Sequence, residues 1–469
     1  MKNTATITDY RPGTWAIDET IAQGKAGAKT PTMESLYPEK ADYLTVAAER
    51  YVDAGFMAKE WQGVWTRVWT CAGIAADIPE AGDWFKYDLG RESFIVVRQN
   101  DGAIKAFYNV CKHRGRQMVN KDFGKAMNFV CPYHSWVYGR DGSNRRVTSK
   151  EYFDERALCG ELSLREVRCE QWAGFVFINM DKNAEPLLDY LDALPEILKA
   201  YPFESMHIVK DVVIELPCNW KLANEAFLEP YHAHITHAQI LPAVDELYNQ
   251  YDFYQNGHAM VVTPVGLPSP RFGDQNNVNP YLAYMLMEAG IDPETFEGGA
   301  HDVRPAIWEA KRSGVCDLGI DYSAYTDSQL TDDWNPSFFP NMTFNTHPEG
   351  VMVMRFLPHA TDPARCHYHV WILLPKMKEG VRPPSYMGVE DTVDISGKER
   401  PKRRYSTLED PQLGEVLEQD ISNLVLMQRG VMSAAMDEGI RLGELEQRIQ
   451  VLHAQIDRCI ASSKGVSNE

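Results

Sequence analysis

Cys111-Lys112-His113-Arg114-Gly115 opens a pair of short motifs that the stretch Cys131-Pro132-Tyr133-His134-Ser135-Trp136 completes, with seventeen residues between His113 and Cys131. Each motif offers one thiol and one imidazole, so together they make a four-ligand metal set. Zinc accepts two thiolates and two imidazoles in a tetrahedral site. A [2Fe-2S] cluster with two cysteines on one iron and two histidines on the other uses the same residues, and the histidines raise its reduction potential above that of an all-cysteine cluster. Ligand softness alone leaves both metals open.

The flanking residues favour iron. Cys111-Lys112-His113-Arg114-Gly115 and Cys131-Pro132-Tyr133-His134-Ser135-Trp136 resemble the two cluster-binding loops of Rieske oxygenases, and the extra cysteines that respiratory Rieske proteins carry beside their ligands are absent. The resemblance implies that Cys111, His113, Cys131 and His134 hold a Rieske [2Fe-2S] cluster.

Short β-rich runs surround the two motifs. Residues 94–97 (Phe-Ile-Val-Val), a turn at Asn100-Asp101-Gly102, and runs at 104–110, 128–130, 136–138 and 174–179 predict a small antiparallel β domain with the metal loops between its strands. Before it, residues 1–40 read as an irregular arm. Helical periodicity spans 41–69, anchored by Leu44, Ala47, Tyr51, Phe56, Trp61 and Trp65. After it, a linker and helix over 183–201 lead to a strand at 208–216. Two further apolar strands follow at 352–357 and 367–374, then a polar, Pro/Lys-rich stretch at 376–410 that reads as a mobile surface loop, and helices at 417–436 and 440–460. The series Leu442, Leu445, Ile449, Leu452, Ile456, Cys459 fits packing against its own domain better than a free coiled coil. The expected fold class is α+β, divided into an arm (1–53), a cluster domain (54–182) and a second domain (183–469).

That second domain carries another histidine pair. His232 and His237 are five residues apart, roughly 140° around a straight helix, which is too far for one metal. Pro230 removes a helical hydrogen bond just before them, so a deformed helix can bring them together. Two imidazoles and one carboxylate on one face of Fe(II) leave positions open for dioxygen and substrate. Asn219-Trp220-Lys221, Glu225, Glu229, Tyr231-His232 and His237 resemble the iron-binding motif of Rieske oxygenase large (alpha) subunits. The resemblance makes His232, His237 and Asp420 the ligands of a mononuclear non-haem iron, Asp420 lying eight residues before Gln428-Arg429-Gly430. It also gives Glu229 a catalytic place, bridging an iron histidine and a cluster histidine of a neighbouring subunit. The family often has Asp where this chain has Glu229, and often Asn where it has Ala226. His234 lies between the two ligands and is the weaker candidate. His367 and His369 share one face of a strand and read as ordinary strand residues.

Composition narrows the classes. The chain has 469 residues and a net charge of -19, which argues against nucleic acid as the main partner. It contains no apolar run long enough to span a membrane. The N-terminus lacks the apolar core of a signal peptide, and nine cysteines without a framework fit a reducing compartment, so a cytoplasmic location is expected. Between residues 105 and 146 the sign reverses: nine basic residues stand against Asp122 and Asp141, either as a solvated face or as a docking surface for an acidic electron carrier.

Taken together, the resemblance implies an antiparallel β Rieske domain followed by a helix-grip (START-like) catalytic domain, assembled as a homotrimer with or without a small beta subunit. It implies an oxygenase that uses O2 and electrons from NAD(P)H, passed through a separate reductase and in some members a ferredoxin. The reaction expected is hydroxylation or cis-dihydroxylation of an aromatic or other apolar ring-containing substrate, or O- or N-demethylation. Two readings of other classes remain: an electron-transfer Rieske protein, and a zinc-stabilised binding module. Both leave residues 219–237 and Asp420 without a role. Apolar and aromatic residues between 241 and 344 are expected to line the substrate pocket, and no charged anchor can be singled out from the sequence.

Overall fold

The structure is a computed structural model and describes residues 44–464. The arm expected over 1–40 lies outside the described residues. The chain forms two compact units, one of residues 58–190 with 358–362 and the end of the last helix, the other of residues 191–357 and 363–458 with the described residues up to 57.

The first unit is the antiparallel β domain. Its strands are β1 (Thr70–Ile74), β2 (Asp83–Leu89), β3 (Glu92–Arg98), β4 (Ile104–Tyr108), β5 (Phe123–Lys125), β6 (Asn128–Val130), β7 (Val137–Gly139), β8 (Asn144–Arg146), β9 (Glu166–Trp172) and β10 (Phe175–Asn179). Seven of them form one sheet in the order β1-β10-β9-β4-β3-β2-β5, and β6-β7-β8 form a second. Strand β3 is buried from Phe94 to Val97 because it lies between β2 and β4 with both faces covered, which is why its sequence is continuously apolar. The turn at Asn100-Asp101-Gly102 closes the β3–β4 hairpin: Gln99 N–H donates to the Ala103 carbonyl (2.8 Å), and Gly102 takes a φ of 86° that only glycine adopts freely. The cluster motifs fall after β4 and between β6 and β7, as expected.

The second unit is built on an eight-stranded sheet. Its strands are β11 (His207–Leu216), β12 (Gln250–Phe253), β13 (Ala259–Thr263), β14 (Asp333–Phe338), β15 (Met342–His347), β16 (Gly350–Pro358), β17 (Cys366–Leu374) and β18 (Arg404–Ser406). They run β12-β13-β14-β15-β16-β17-β11-β18, and β18 alone pairs in parallel, against β11. Short helices α1 (Trp220–Glu225) and α2 (Ala233–Thr236) follow β11, α3 (Pro280–Glu288) and α4 (Val303–Ser313) sit between β13 and β14, and α5 (Glu415–Val431) and α6 (Gln447–Lys464) close the chain. In α5 the residues Leu417, Asp420, Ile421, Leu424, Gln428 and Val431 are buried at helical spacing, so one stripe of this helix packs inward and carries Asp420 with it.

Four expectations need correction. The periodic region 41–69 is not one helix but a short strand, a 3-10 turn, a seven-residue helix (Ala54–Glu60) and a π turn (Trp61–Trp65). Asp53 starts the helix by accepting from Phe56 N–H (2.6 Å). Ile440 belongs to a strand, Ile440–Arg441, paired with Thr45–Val46, and the last helix begins only at Gln447. The helix over 183–201 is two short pieces, Leu187–Leu191 and Leu194–Ile197, parted at Asp192, whose φ is 52°. Residues 376–410, read as a loop on the surface, pack against the sheet: β18 joins its edge, Met387 is buried, and Asp211 accepts from both Arg400 and Arg403. Leu442, Ile449, Leu452 and Ile456 are buried, in keeping with packing inside the domain.

Candidate active site and metal centres

Both cluster motifs use one local design. The Cys111 carbonyl accepts from Gly115 N–H and the Cys131 carbonyl from Ser135 N–H, each at 3.0 Å, and Gly115 and Ser135 both have positive φ (73° and 56°). The turn so formed leaves the histidine half-buried while the cysteine stays in the apolar core with Trp84, Phe129, Trp136 and Tyr138. Asn109 closes the base of the first loop, accepting from Met118 and Val119 N–H (2.8 and 3.0 Å) and donating to the Val119 carbonyl (2.8 Å). The His113 and His134 rings lie 4.6 Å apart, and His113 stacks on Trp136 at 5.0 Å. Their Nδ1 atoms are buried without a hydrogen-bond partner, and the Cys111 thiol lies beside that of Cys131. Two buried thiols and two orphaned imidazole nitrogens in one place are the donor set a mixed-ligand cluster uses. The Tyr138 hydroxyl binds Cys111 Sγ (3.4 Å) and accepts from Lys112 N–H (3.0 Å), the kind of outer contact that tunes a cluster.

The second unit brings His232, His237 and Asp420 together. One ligand atom from each lies within 4.8 Å of the others. Helix α1 starts at Asn219, whose side chain accepts from Lys221 N–H and whose own N–H donates to Gln428 Oε1 of α5 at 2.7 Å. The chain then breaks at Pro230 and turns again through α2, which removes the angular mismatch of a straight helix. The tautomers follow from the outer partners. Glu229 Oε1 stands 2.7 Å from His232 Nδ1, and Gln419 Oε1 stands 2.7 Å from His237 Nδ1. Both acceptors require a proton on Nδ1, so in the neutral rings each Nε2 carries a lone pair. These nitrogens face Asp420 Oδ1 at 3.3 and 2.9 Å. Three electron-pair donors converging in a buried place need a cation between them. Without one, burial pulls His232 down, but Asp420 and Glu229 outweigh it and hold the imidazolium up to about 10. The site thus fits a divalent metal, with Glu229 and Gln419 orienting the imidazoles.

A cavity of about 270 Å³ opens beside this triad. Its sheet wall comes from alternate residues of neighbouring strands: Val261 and Thr263 on β13, Asp333 and Asn335 on β14, Asn345 and His347 on β15. The opposite wall is Ala226, Phe227 and Ile240 with Val416 and Leu417 of α5, and Tyr386 reaches in from the 376–410 segment.

Residues 203–462 match the family model for the catalytic domain of ring hydroxylating alpha subunits, and residues 68–155 match the Rieske [2Fe-2S] domain. The chain belongs to the ring-hydroxylating alpha-subunit family. Its cofactors are accordingly a Rieske [2Fe-2S] cluster and non-haem iron. It is 35% identical over 199 residues to the carnitine monooxygenase oxygenase subunit of Escherichia coli (strain K12), covering 41% of this chain and 52% of that one. It is 36% identical over 201 residues to the large oxygenase component of the 2,4-dinitrotoluene dioxygenase system of Burkholderia sp. (strain RASC), covering 41% and 44%. The chain therefore spans about half the length of the curated relatives it matches. Naphthalene 1,2-dioxygenase from Rhodococcus sp., solved with indole bound, has the same fold, with a TM-score of 0.63 at 18% identity over 90% of this chain and 95% of that one.

Other residues of this alpha subunit fall outside the metal centres. His234 is half-buried, its Nδ1 2.7 Å from the Tyr231 carbonyl. His369 is paired with Arg355 Nη2 at 3.0 Å. Lys221 and Glu225, part of the iron motif, hold the structure: the buried Lys221 ammonium faces the rings of Tyr51, Phe56 and Trp220, and Glu225 accepts from the Tyr51 hydroxyl (2.9 Å) and bonds His453 Nε2 (2.9 Å). Sequence reasoning missed Asn109, Gln419, Glu246 and Asp333. For Gln419, adjacency to Asp420 was enough to raise the question.

Proposed function

We propose that this chain is the terminal oxygenase component of a Rieske oxygenase system, inserting oxygen from O2 into a small organic substrate. The observation that carries the proposal is the convergence of His232 Nε2, His237 Nε2 and Asp420 Oδ1 on one point at the wall of a cavity, in a chain that also has a cluster domain. When bound, the iron supplies the place where dioxygen is reduced and the cluster supplies stored electrons. The chain's own residues do the rest. Glu229 and Gln419 keep the Nδ1 protons in place, and Val261, Val265, Met354, Val416 and Leu417 exclude water from the reacting volume. Carnitine monooxygenase and 2,4-dinitrotoluene dioxygenase among the relatives support both monooxygenation and dioxygenation as chemistries of such a site. The same reading divides the chain functionally at 54–182 and 183–469, gives it NAD(P)H-derived electrons through a reductase, a trimeric assembly and a place in the cytoplasm. No helix among the described residues is long and apolar enough to cross a membrane.

Anaerobically purified protein is expected to be brown, to contain iron beyond two per chain and to show the EPR signal of a reduced mixed-ligand cluster. Colourless protein with stoichiometric zinc would overturn the assignment of Cys111, His113, Cys131 and His134. Oxygen uptake with a surrogate reductase then tests the oxygenase reading directly.

The basic stretch serves the reductase or ferredoxin in this proposal. Lys105, Lys125 and Arg145 are already paired with Glu166, Glu80 and Asp141, which leaves Lys112, Arg114, Arg116, Lys121 and Arg146 as the exposed charges to test. Reduction by an acidic donor should slow as salt rises from about 0.01 to 0.5 M, since screening shortens the reach of the attraction. Lys121→Glu should slow it further at low salt. A rate indifferent to both would make the stretch a solvated face only.

A further inference from the structure

We propose that the cavity beside the iron triad binds a protonated amine that still carries an N–H, rather than a neutral ring or a quaternary ammonium. The proposal rests on the oxygenase reading above for the cavity's role, and on the cavity's own walls for its chemistry. Glu246 lines it and is fully buried, yet neither carboxylate oxygen receives a hydrogen bond. The nearest cation is Arg271, whose Nη1 stands 3.2 Å from Oε1 without hydrogen-bond alignment and whose side chain is one-third exposed. On the sheet wall Asp333 Oδ1 is likewise buried without a hydrogen-bond donor, while Oδ2 accepts from Asn345 Nδ2 at 3.2 Å. Three acceptor oxygens removed from water without donors are costly, and a ligand that brings donors removes that cost.

The charge has the same sign throughout. Four carboxylates line the cavity (Glu229, Glu246, Asp333, Asp420), and no lysine or arginine does. Glu229 and Asp420 are committed to the imidazoles, whereas Glu246 meets Arg271 without a hydrogen bond and Asp333 has no donor at Oδ1. The buried Arg448, whose Nη2 donates to the cavity-facing Asn335 Oδ1 at 2.9 Å, attracts the Asp333 carboxylate, yet burial outweighs it and pushes that carboxyl up to about 7. His347, 3.7 Å from Asp333 Oδ1, adds no charge near neutrality because burial pulls it down to about 4. A neutral ring would leave the three open acceptor oxygens without donors. A quaternary ammonium would bring charge but no donor, and it is best held by a box of aromatic faces. Here the only aromatic carbocycles in the lining are Phe227 and Tyr386. An ammonium with an N–H answers both the charge and the open acceptors.

The test is anaerobic calorimetry on the cluster- and iron-loaded protein with three related probes: N,N-dimethylbenzylammonium, benzyltrimethylammonium, which is one methyl larger, and isobutylbenzene, the neutral isostere of the first. The first should bind about tenfold more tightly than either of the others, the size of effect expected of one charge-assisted hydrogen bond. Glu246→Gln and Asp333→Asn should each remove most of that preference without changing the cluster spectrum or the affinity for isobutylbenzene. Should one variant fail to load its metals, the other variant and the ranking in the parent protein decide. Equal binding of all three probes, or no ammonium binding, overturns the proposal; so does a preference that survives both substitutions, or a quaternary ion bound as well as the tertiary one. Oxygen uptake is read separately. Uptake driven by a neutral compound with no ammonium binding sinks the amine and leaves the oxygenase reading. The expected ranking with no uptake by any compound supports the cavity inference and sinks the oxygenase reading.

Discussion

Asp420→Ala is expected to leave the [2Fe-2S] spectrum unchanged while product formation falls to background and the iron content drops by about one per chain. Asp420 is the only carboxylate that both His232 and His237 Nε2 face, at 3.3 and 2.9 Å, and alanine supplies neither the charge nor the ligand. The cluster loops belong to the other compact unit, so their colour serves as an internal control for folding. Metal analysis beside single-turnover product yield reads the effect. A variant that kept its mononuclear iron and parent turnover would remove Asp420 from the site.

Glu229→Gln is expected to do something different: both metal groups stay, and electron arrival at the iron slows by about 10- to 100-fold, the range seen when outer partners of metal ligands are changed. Glu229 Oε1 lies 2.7 Å from His232 Nδ1 and Oε2 accepts from His232 N–H at 3.0 Å, so one carboxylate grips both ends of the same residue. Glutamine keeps the length and one acceptor but loses the charge that strengthens the contact to imidazole. Rapid mixing of the fully reduced variant with dioxygen and substrate separates electron arrival from loss of iron. Product at the parent rate would mean that the electrons take a route without Glu229.

How much of this was legible before the structure depended on whether a residue's partner lay near it in sequence. The cluster motifs carry their whole turn design within five residues each, and the strands around them alternate or run apolar as buried strands do. His232, His237 and Asp420 were legible through the resemblance, not through periodicity, since five residues on a straight helix point the wrong way. The strands at Asp333–Phe338 and Met342–His347 escaped notice because one face of each is polar. Asp-Trp-Asn-Pro-Ser-Phe has a proline within a strand and turns Asp333 and Asn335 toward the cavity, so the apolar pattern that signals a strand is missing. Glu246 was hidden for a similar reason. Nothing local distinguishes a carboxylate that ends in a cavity from one on a solvated turn, which is why no charged residue of the pocket could be singled out from the sequence. Residues 376–410 looked free because they are polar, yet their arginines answer the buried Asp211, a partner nearly two hundred residues away.

His237 and Asp420 are 183 residues apart in the chain, whereas the cluster ligands lie within a single short stretch. Synthesis proceeds from the N-terminus, so the ribosome finishes the thiol and imidazole loops long before the aspartate leaves the exit tunnel. Until α5 has emerged and docked, with Gln428 seated on Asn219, a nascent chain offers only two imidazoles, which hold a ferrous ion poorly. Maturation therefore has a direction. The four thiol and imidazole donors of the cluster loops are all present on the incomplete polypeptide, whereas the third donor for the single iron arrives only with α5.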